Sequence, residues 1–403
     1  MKTKTKYLSL LILMSVLGLM STDIYLPSLP EVKMTFNSSN SITQFTISIF
    51  LLGLAISQLI YGPLSEKYGR KIVLMIGMII YLISTIICIF SPTIEFLIFA
   101  RLFQGIGSAA GMTIGRTLVN DLFSKEESGK IFTTIFPFVG ISPAIAPYIG
   151  SNIDIYFGWN ASFVFLLFLG IILFIGIITI LPKNINTLKN DSLHPTKIMG
   201  EYKRLLSNRT FLSYVMMPCI AYVIYFAYIT ESVFILHEHQ FSVKTIGLSF
   251  ISVSISYVIG NLTSRRLLDY FEFQKVLTIG YVFFFISGIV MLFSSYREFH
   301  LILFLLPITI LTFANGFLIP LGTAGVIKNF SNSSGYASGL LGFLQLSSAT
   351  LSSFVIEFIT HGKYDIFYIY LAVIVFIEAF IYYRLFLMPI SLGNFRIFNR
   401  LKK

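Results

Sequence analysis

Long apolar segments recur along the whole chain, separated by short polar ones. Each has about 20 residues, the length an α-helix needs to cross the hydrocarbon core of a bilayer. The pattern predicts twelve membrane-spanning helices, at residues 7–29, 42–63, 71–90, 95–118, 130–151, 161–182, 211–236, 243–264, 276–294, 299–323, 335–358 and 364–386. We therefore expect an all-α membrane protein.

A polar segment at residues 183–210 interrupts this series after the sixth span and is rich in Lys, Asn, Asp, His and Pro. It predicts a linker between a six-helix half at 1–182 and a second half at 211–403, which ends in a basic tail. The halves echo each other, because Gly62–Lys67 and Gly260–Arg265 both read Gly-x-Leu-(Ser/Thr)-x-(Lys/Arg) at the ends of equivalent spans. Duplicated halves are the plan of many secondary transporters.

Charge is scarce and unevenly placed. Only 12% of the 403 residues are charged and 56% are hydrophobic, whereas soluble proteins have about 25% charged residues. When the N-terminal lysines are placed in the cytoplasm, 23 of the 29 Lys and Arg fall on the cytoplasmic side and four outside. This distribution follows the positive-inside rule and predicts that both termini are cytoplasmic. The net charge of +11 then indicates contact with anionic lipid, not with nucleic acid.

Asp23 and Arg101 are charged residues inside predicted spans. A carboxyl group at membrane depth costs several kcal/mol, so Asp23 is a candidate transport or proton site, with a buried structural pair as the alternative. The helical rise of 1.5 Å per residue puts the two residues near one depth. We therefore expect a direct or water-bridged contact between them.

The segment Gly62–Lys71 is the most specific motif in the chain. Glu66 is suited to face the positive N-terminus of another helix, and Arg70 to anchor the inner membrane surface. The segment resembles the Major Facilitator signature Gly-x-Leu-x-Asp-Arg-x-Gly-Arg-(Arg/Lys), from which Glu66 and Lys67 depart with their charge kept. Arg101–Gly107 likewise resembles the Arg-x-x-Gln-Gly-x-Gly motif of that superfamily.

Further segments narrow the resemblance. Gly140–Gly150, with its small residues and two prolines, resembles the antiporter motif of drug exporters. Thr22–Pro30, Phe157–Trp159 and Gly339–Gln345 are similar to the Bcr/CflA branch of drug–proton antiporters. The resemblance implies a Major Facilitator fold and the export of small amphipathic compounds, in exchange for protons, across a bacterial inner membrane.

These patterns assign candidate roles to three sets of residues. Proton coupling is expected of Asp23 and Arg101. Substrate binding is expected of Tyr25, Gln104, Tyr222, Tyr225, Tyr228, Glu231 and Gln345. Gating is expected of Gly62, Glu66, Gly69, Arg70, Arg116, Asp121, Pro143, Pro147 and Gly150. Glu378 lies within the twelfth span, and the sequence identifies no partner for it.

The expected partners are a small-molecule substrate, protons and the lipid bilayer, and we expect a monomer. No metal or cofactor is expected, because the proton gradient would supply the energy. Two other transport functions remain open: a dedicated exporter of one metabolite such as a siderophore, or a proton symporter for uptake. An intramembrane enzyme or sensor is not favoured, since the sequence offers no His–Asp–Ser set, metal cluster or soluble catalytic domain.

Overall fold

The computed structural model describes residues 2–182, 194–241, 243–360 and 363–387. All regular secondary structure in these ranges is helical, and twelve helices are long. They are α1 (Lys2–Asp23), α3 (Asn40–Tyr68), α4 (Arg70–Ile89), α5 (Ile94–Leu122), α6 (Ser128–Phe157), α7 (Asn160–Ile180), α9 (Arg209–Glu238), α10 (Val243–Leu267), α11 (Phe273–Ser295), α12 (Leu301–Asn329), α13 (Ser334–Thr360) and α14 (Tyr364–Tyr382). The two shorter helices are α2 (Leu29–Thr35) and α8 (Pro195–Leu206).

Each of the twelve long helices overlaps one predicted span, with ends that differ by up to several residues. Within the described ranges, nine helices are long and apolar enough to cross a membrane. The segments Ser128–Pro143 and Ile145–Phe157 of α6 make a tenth if they are taken as one span bent by 43°. The bend follows from the prolines inside α6, because proline has no amide hydrogen to donate to the preceding turn.

The span predicted at residues 7–29 is not one continuous helix. Helix α1 ends at Asp23, a 3-10 turn follows at Leu26–Ser28, and α2 begins at Leu29. Pro27 and Pro30 explain the break, because neither can donate a hydrogen bond to the carbonyl four residues before it. The apolar segment still runs from Lys4 to Thr35, so Asp23 lies at a helix end inside a membrane-spanning segment.

The chain divides into two compact units. The first comprises Met1–Leu206 and Ala324–Leu344, and the second comprises Ser207–Thr323 and Gln345–Lys403. The first unit therefore includes the beginning of α13. The expected boundary between the halves remains a prediction, since residues 183–193 of the linker lie outside the described residues. The predicted basic tail beyond residue 387 lies outside them too.

Glycines on α5 bring the helices of the first unit close together. A Cβ atom at Gly107 would overlap the backbone of Tyr81 in α4, and one at Gly111 would press on the carbonyl of Met14 in α1. Small residues at such positions let helix backbones approach closely. This packing places Arg101, which lies farther towards the N-terminus of α5, against α1 and α3.

Candidate functional site

Arg101 is fully buried inside the first unit. Its Nη1 donates hydrogen bonds to the carbonyl of Ser21 at 3.0 Å and to Oε1 of Gln104 at 2.6 Å. Its Nε donates to the carbonyl of Thr46 at 3.4 Å. Nη2 is also buried but has no hydrogen-bond partner among the described residues. One guanidinium nitrogen of this buried cation is therefore unsatisfied.

Aromatic rings surround the same guanidinium group. Its central carbon lies 4.3 Å from the ring centroid of Phe50, 5.1 Å from that of Tyr25 and 5.7 Å from that of Phe163. Aromatic faces attract a cation by their quadrupole, most strongly when water is excluded. Tyr25 reaches this position because α1 stops before it and the chain turns. The broken helix therefore supplies part of the cage around Arg101.

A network of buried polar side chains extends from Arg101. Gln104 donates to Oγ1 of Thr85 at 2.8 Å, and Oγ of Ser21 shares a hydrogen bond of 2.8 Å with the hydroxyl of Tyr81. Tyr25 accepts a hydrogen bond from Thr46 at 3.3 Å. Both Tyr25 and Gln104, which were predicted to bind substrate, are fully buried. In this arrangement they hold Arg101.

The Asp23 carboxyl makes no direct ion pair with Arg101 in this arrangement, and the water-bridged form of the expected contact stays a prediction. Among the described residues, no ion pair joins the two, and Ser142 on α6 is the side chain beside the carboxyl. The reason is helical geometry: Asp23 lies about 200° around α1 from Ser21, and the Ser21 side chain points towards α4. Oδ2 of Asp23 and Oγ of Ser142 are buried without a hydrogen-bond partner in the described ranges.

Helix α6 packs against the turn that follows the end of α1 at Asp23. A Cβ atom at Gly150 would collide with the carbonyl of Ile24, so glycine is needed for this approach. Pro143 and Pro147 lie within α6, on the same stretch as Ser142. Each proline leaves the carbonyl four residues earlier without its helical donor. The predicted gating residues Pro143 and Pro147 therefore lie at or next to the bend of α6, and Gly150 lies where α6 meets Ile24.

A second polar group, which we call the Glu66 cluster, joins the ends of α3, α4 and α5 to the start of α13. Oε1 of Glu66 accepts a hydrogen bond of 2.7 Å from the backbone amide of Gly335. Arg70 is almost completely buried and donates to Asp121 at 3.2 Å, to Ser65 at 2.6 Å and to Oγ of Ser334 at 3.0 Å. The cluster consists of Ser65, Glu66, Arg70, Asp121, Ser334 and Gly335.

The backbones of α3 and α13 nearly touch beside this cluster. A Cβ atom at Gly62 would overlap the carbonyl of Gly335. Gly69 ends α3 with a φ of 91°, which favours glycine. Arg116 on α5 donates to the carbonyl of Ser338 on α13 at 3.2 Å. The carboxylate of Glu66 thus lies at the positive N-terminus of a helix, as the sequence suggested.

The remaining predicted substrate residues lie in the second unit. On α9, Tyr222 and Tyr225 are half-buried, and their rings pack on Phe226 at centroid distances of 5.8 Å. Tyr228 and Glu231 are buried, and the Tyr228 hydroxyl donates to Ser249 at 3.3 Å. Gln345 on α13 is buried as well. The two half-buried tyrosines are the most accessible members of this set.

Glu378 on α14 is a buried carboxyl to which the sequence assigned no role. Its Oε1 accepts a hydrogen bond of 2.7 Å from the Tyr281 hydroxyl of α11. A usable signal is present in the sequence, because Gln274, Thr278 and Tyr281 form a polar stripe at helical spacing on an apolar segment. Such a stripe predicts a polar partner on a neighbouring helix.

The model of the Major Facilitator Superfamily matches residues 11–353. The chain is 26% identical over 354 residues to multidrug resistance protein D of Escherichia coli, covering 86% of this chain and 87% of that protein. It is 24% identical over 277 residues to a bicyclomycin resistance protein homologue of Haemophilus influenzae, covering 68% and 70%. The solved structure of the E. coli fucose:proton symporter FucP has a TM-score of 0.74 at 15% identity, covering 93% and 97%.

Proposed function

Since the chain belongs to the Major Facilitator Superfamily, it is a membrane transporter and not an enzyme, and we propose that it exports small amphipathic compounds in exchange for protons. In this proposal the proton gradient is the energy source and no cofactor takes part. The protein acts as a monomer in a bacterial inner membrane, with both termini in the cytoplasm, as the positive-inside distribution favours.

One observation carries the proposal: a carboxyl and a guanidinium group are both buried near the end of α1, and each has an atom without a hydrogen-bond partner among the described residues. Asp23 Oδ2 and Arg101 Nη2 have no hydrogen-bond partner among the described residues. A buried polar group without a partner costs about 1–3 kcal/mol, and more when it is charged. A protein that keeps such groups inside a membrane generally uses them. We therefore assign proton binding to Asp23.

The broken helix gives Asp23 a way to change partners. Arg101 holds the carbonyl of Ser21, two residues before Asp23, while the turn after Asp23 is free of regular helical hydrogen bonds at Pro27. In this proposal the turn rearranges and carries the carboxyl from Ser142 round the end of α1 to Arg101. The carboxyl would be protonated beside Ser142 and ionised beside Arg101, because a nearby cation favours the charged form.

The Glu66 cluster is proposed to control access from the cytoplasm. It fixes the start of α13 to α3 through the helix-end contact of Glu66 and to α4 through the hydrogen bond from Arg70 to Ser334. The ion pair between Arg70 and Asp121 links α4 to α5 beside these contacts. Opening requires these contacts to separate together, since Gly62 and Gly335 hold the two backbones in contact. The bend of α6 at Pro143 and Pro147 would transmit this movement to the turn at Asp23.

Two features support an amphipathic substrate. Tyr222 and Tyr225 are half-buried aromatic side chains with polar ends, which suit compounds that are partly apolar and partly polar. Two of the similar proteins carry the names multidrug resistance protein and bicyclomycin resistance protein homologue. We propose that substrate contacts these tyrosines.

Transport by purified protein in liposomes tests the direction and the coupling. Liposomes with an acidic interior and a clamped membrane potential are expected to accumulate tetraphenylphosphonium, or another compound from a panel of amphipathic drugs, against its gradient. A proton ionophore should abolish the accumulation, and protein-free liposomes give the leak. Accumulation only in liposomes with an alkaline interior would indicate symport, and no response to a pH gradient across the panel would contradict proton coupling.

A further inference from the structure

A polar seam crosses the second unit between α11 and α14. On α11 it contains Gln274, Thr278 and Tyr281, spaced at four and three residues, and on α14 it contains Glu378 and Tyr382, spaced at four residues. These spacings put each set on one helical face. Both helices are otherwise strongly apolar. The two faces meet and form a continuous chain of contacts.

The contacts run from the end of α11 to the Glu378 carboxyl. Gln274 in the first turn of α11 donates to the Tyr382 hydroxyl at 3.2 Å, and that hydroxyl also shares a 2.8 Å hydrogen bond with Thr278. The rings of Tyr382 and Tyr281 stack at 3.7 Å and 13°. The Tyr281 hydroxyl donates to Oε1 of Glu378 at 2.7 Å.

Burial increases from the α11 end of the seam towards Glu378. Gln274 and Thr278 are half-buried, while Tyr281, Tyr382 and Glu378 are 5%, 3% and 2% exposed. Tyr281 lies about 12 Å along α11 from its first residue by helical rise. The seam therefore leads from the accessible end of α11 to a carboxyl that is closed off from solvent.

The surroundings of Glu378 do not balance a negative charge. Tyr281 on α11 is the titratable group that faces it, and Tyr214 on α9 stands beside Tyr382. No Lys or Arg pairs with Glu378 among the described residues, and its Oε2 is buried without a hydrogen-bond partner there. An isolated buried carboxylate is strongly unfavourable, so the carboxyl in this arrangement holds a proton.

We propose that Glu378 is a second proton-binding site, which exchanges protons with the end of α11 along this seam. The contact between Tyr281 and Tyr382 is ring stacking, so proton transfer between their hydroxyls requires a bridging water molecule or a rotation of one ring. The inference rests on the proton coupling proposed above, but it concerns a different unit from Asp23. With two exchangeable carboxyls, a transport cycle moves up to two protons per substrate. In the topology proposed above, the seam opens to the cytoplasm.

Infrared difference spectra of the purified protein in lipid, recorded while the pH is raised from acidic to alkaline, test this site directly. Above about pH 6, where exposed carboxyls with pKa values near 4 are already ionised, the wild type is expected to lose two carboxylic acid bands, those of Asp23 and Glu378. Glu378→Gln should remove one band and release one proton fewer per molecule, and Asp23→Asn should remove the other. Tyr281→Phe should shift the frequency of the Glu378 band, because the hydrogen bond from the phenol is lost.

The outcomes separate this site from the one at Asp23. If Asp23→Asn changes nothing while Glu378→Gln removes a pH-dependent band, the assignment of Asp23 is wrong and the second site stands. A Glu378 band that stays constant at every pH would overturn the inference, as it would make the residue a fixed structural acid. Tyr382→Phe should slow the band change after a pH jump several-fold, and an unchanged rate would remove the seam from the path.

Discussion

The Glu66 cluster and the Arg101 site lie in the same unit and both bury charges, but they treat these charges differently. In the Glu66 cluster, all three nitrogens of Arg70 donate hydrogen bonds, and one goes to the carboxylate of Asp121. At the other site, Arg101 has one nitrogen without a partner and Asp23 one such oxygen, within the described residues. Arg101 binds the carbonyl of Ser21, two residues before Asp23. No ion pair joins Arg101 to Asp23 among the described residues.

This difference indicates different roles for the Glu66 cluster and the Arg101 site. A buried ion pair with its hydrogen bonds made is strongly disrupted when one partner is removed, which suits a contact that must hold until it opens as a whole. Unsatisfied buried groups destabilise the arrangement that contains them, which suits groups that exchange a proton or a partner. We expect mutations to separate these tasks.

The largest effect is expected from Arg101→Ala. The substitution leaves the carbonyl oxygens of Ser21 and Thr46 and the side-chain oxygen of Gln104 without this hydrogen-bond donor. Each buried group left in this way lowers the stability by about 1–3 kcal/mol. We expect loss of proton-driven transport in liposomes and a lower melting temperature. Arg101→Lys should be less damaging, because the charge remains while the planar fork is lost. The exposed Arg297→Ala is the control, and equal activity of the Ala and Lys variants would contradict the role of the charge.

Gly62→Ala should have the next largest effect. Its Cβ would overlap the carbonyl of Gly335, and overpacking of this kind costs about 1–3 kcal/mol. We expect a lower melting temperature and easier labelling of a cysteine placed at Asn332. Gly200→Ala is a matched control, since nothing lies within 4 Å of a Cβ there, and alanine in a helix stabilises by about 0.5–1 kcal/mol. Equal melting temperatures of the two variants would refute the close contact.

Glu66→Gln should weaken the helix-end contact without breaking it. The amide can still accept from Gly335, but the interaction of a charge with a helix N-terminus, worth about 0.3–1 kcal/mol, is lost. Spin labels at the exposed positions Tyr68 and Asn332 should show a several-fold larger population at the longer distance. Glu126→Gln, on an exposed residue, is the control. An unchanged distance distribution together with lost substrate binding would show that Glu66 has a different role.

The smallest effect is expected from Tyr202→Phe. The Tyr202 hydroxyl on α8 donates to the carbonyl of Leu59, and its ring packs on Tyr336 of α13 at 5.6 Å. Phenylalanine keeps the ring contact and loses a hydrogen bond worth about 1 kcal/mol. Backbone amides of α8 should then exchange with deuterium several-fold faster. Tyr148→Phe, at an exposed tyrosine, should leave this exchange unaltered; exchange in Tyr202→Phe as slow as in the wild type would mean that α8 is held elsewhere.

The sequence predicted the helices well, because length and apolarity determine a membrane span almost alone. It also indicated that the carboxyl of Glu66 would face a helix N-terminus, since a charge at the end of a span has few possible partners. The end of the helix at Asp23 was not predicted, although Pro27 and Pro30 indicate one, because each span was predicted only from the length of its apolar segment. The equal membrane depth of Asp23 and Arg101 did not imply a direct contact either. Which side chains meet depends on the helical face that they occupy, and the rise along the helix does not determine that face.

Asp23 is proposed to bind the proton that drives transport, and Asp23→Asn tests this role most directly. The amide keeps the volume of the carboxyl but cannot titrate, so the variant should fold and insert as the wild type does. We predict that liposomes with an acidic interior no longer accumulate substrate uphill, and that substrate binding to the purified variant no longer releases the proton from this site. Undiminished uphill accumulation with the wild-type pH dependence would contradict the claim.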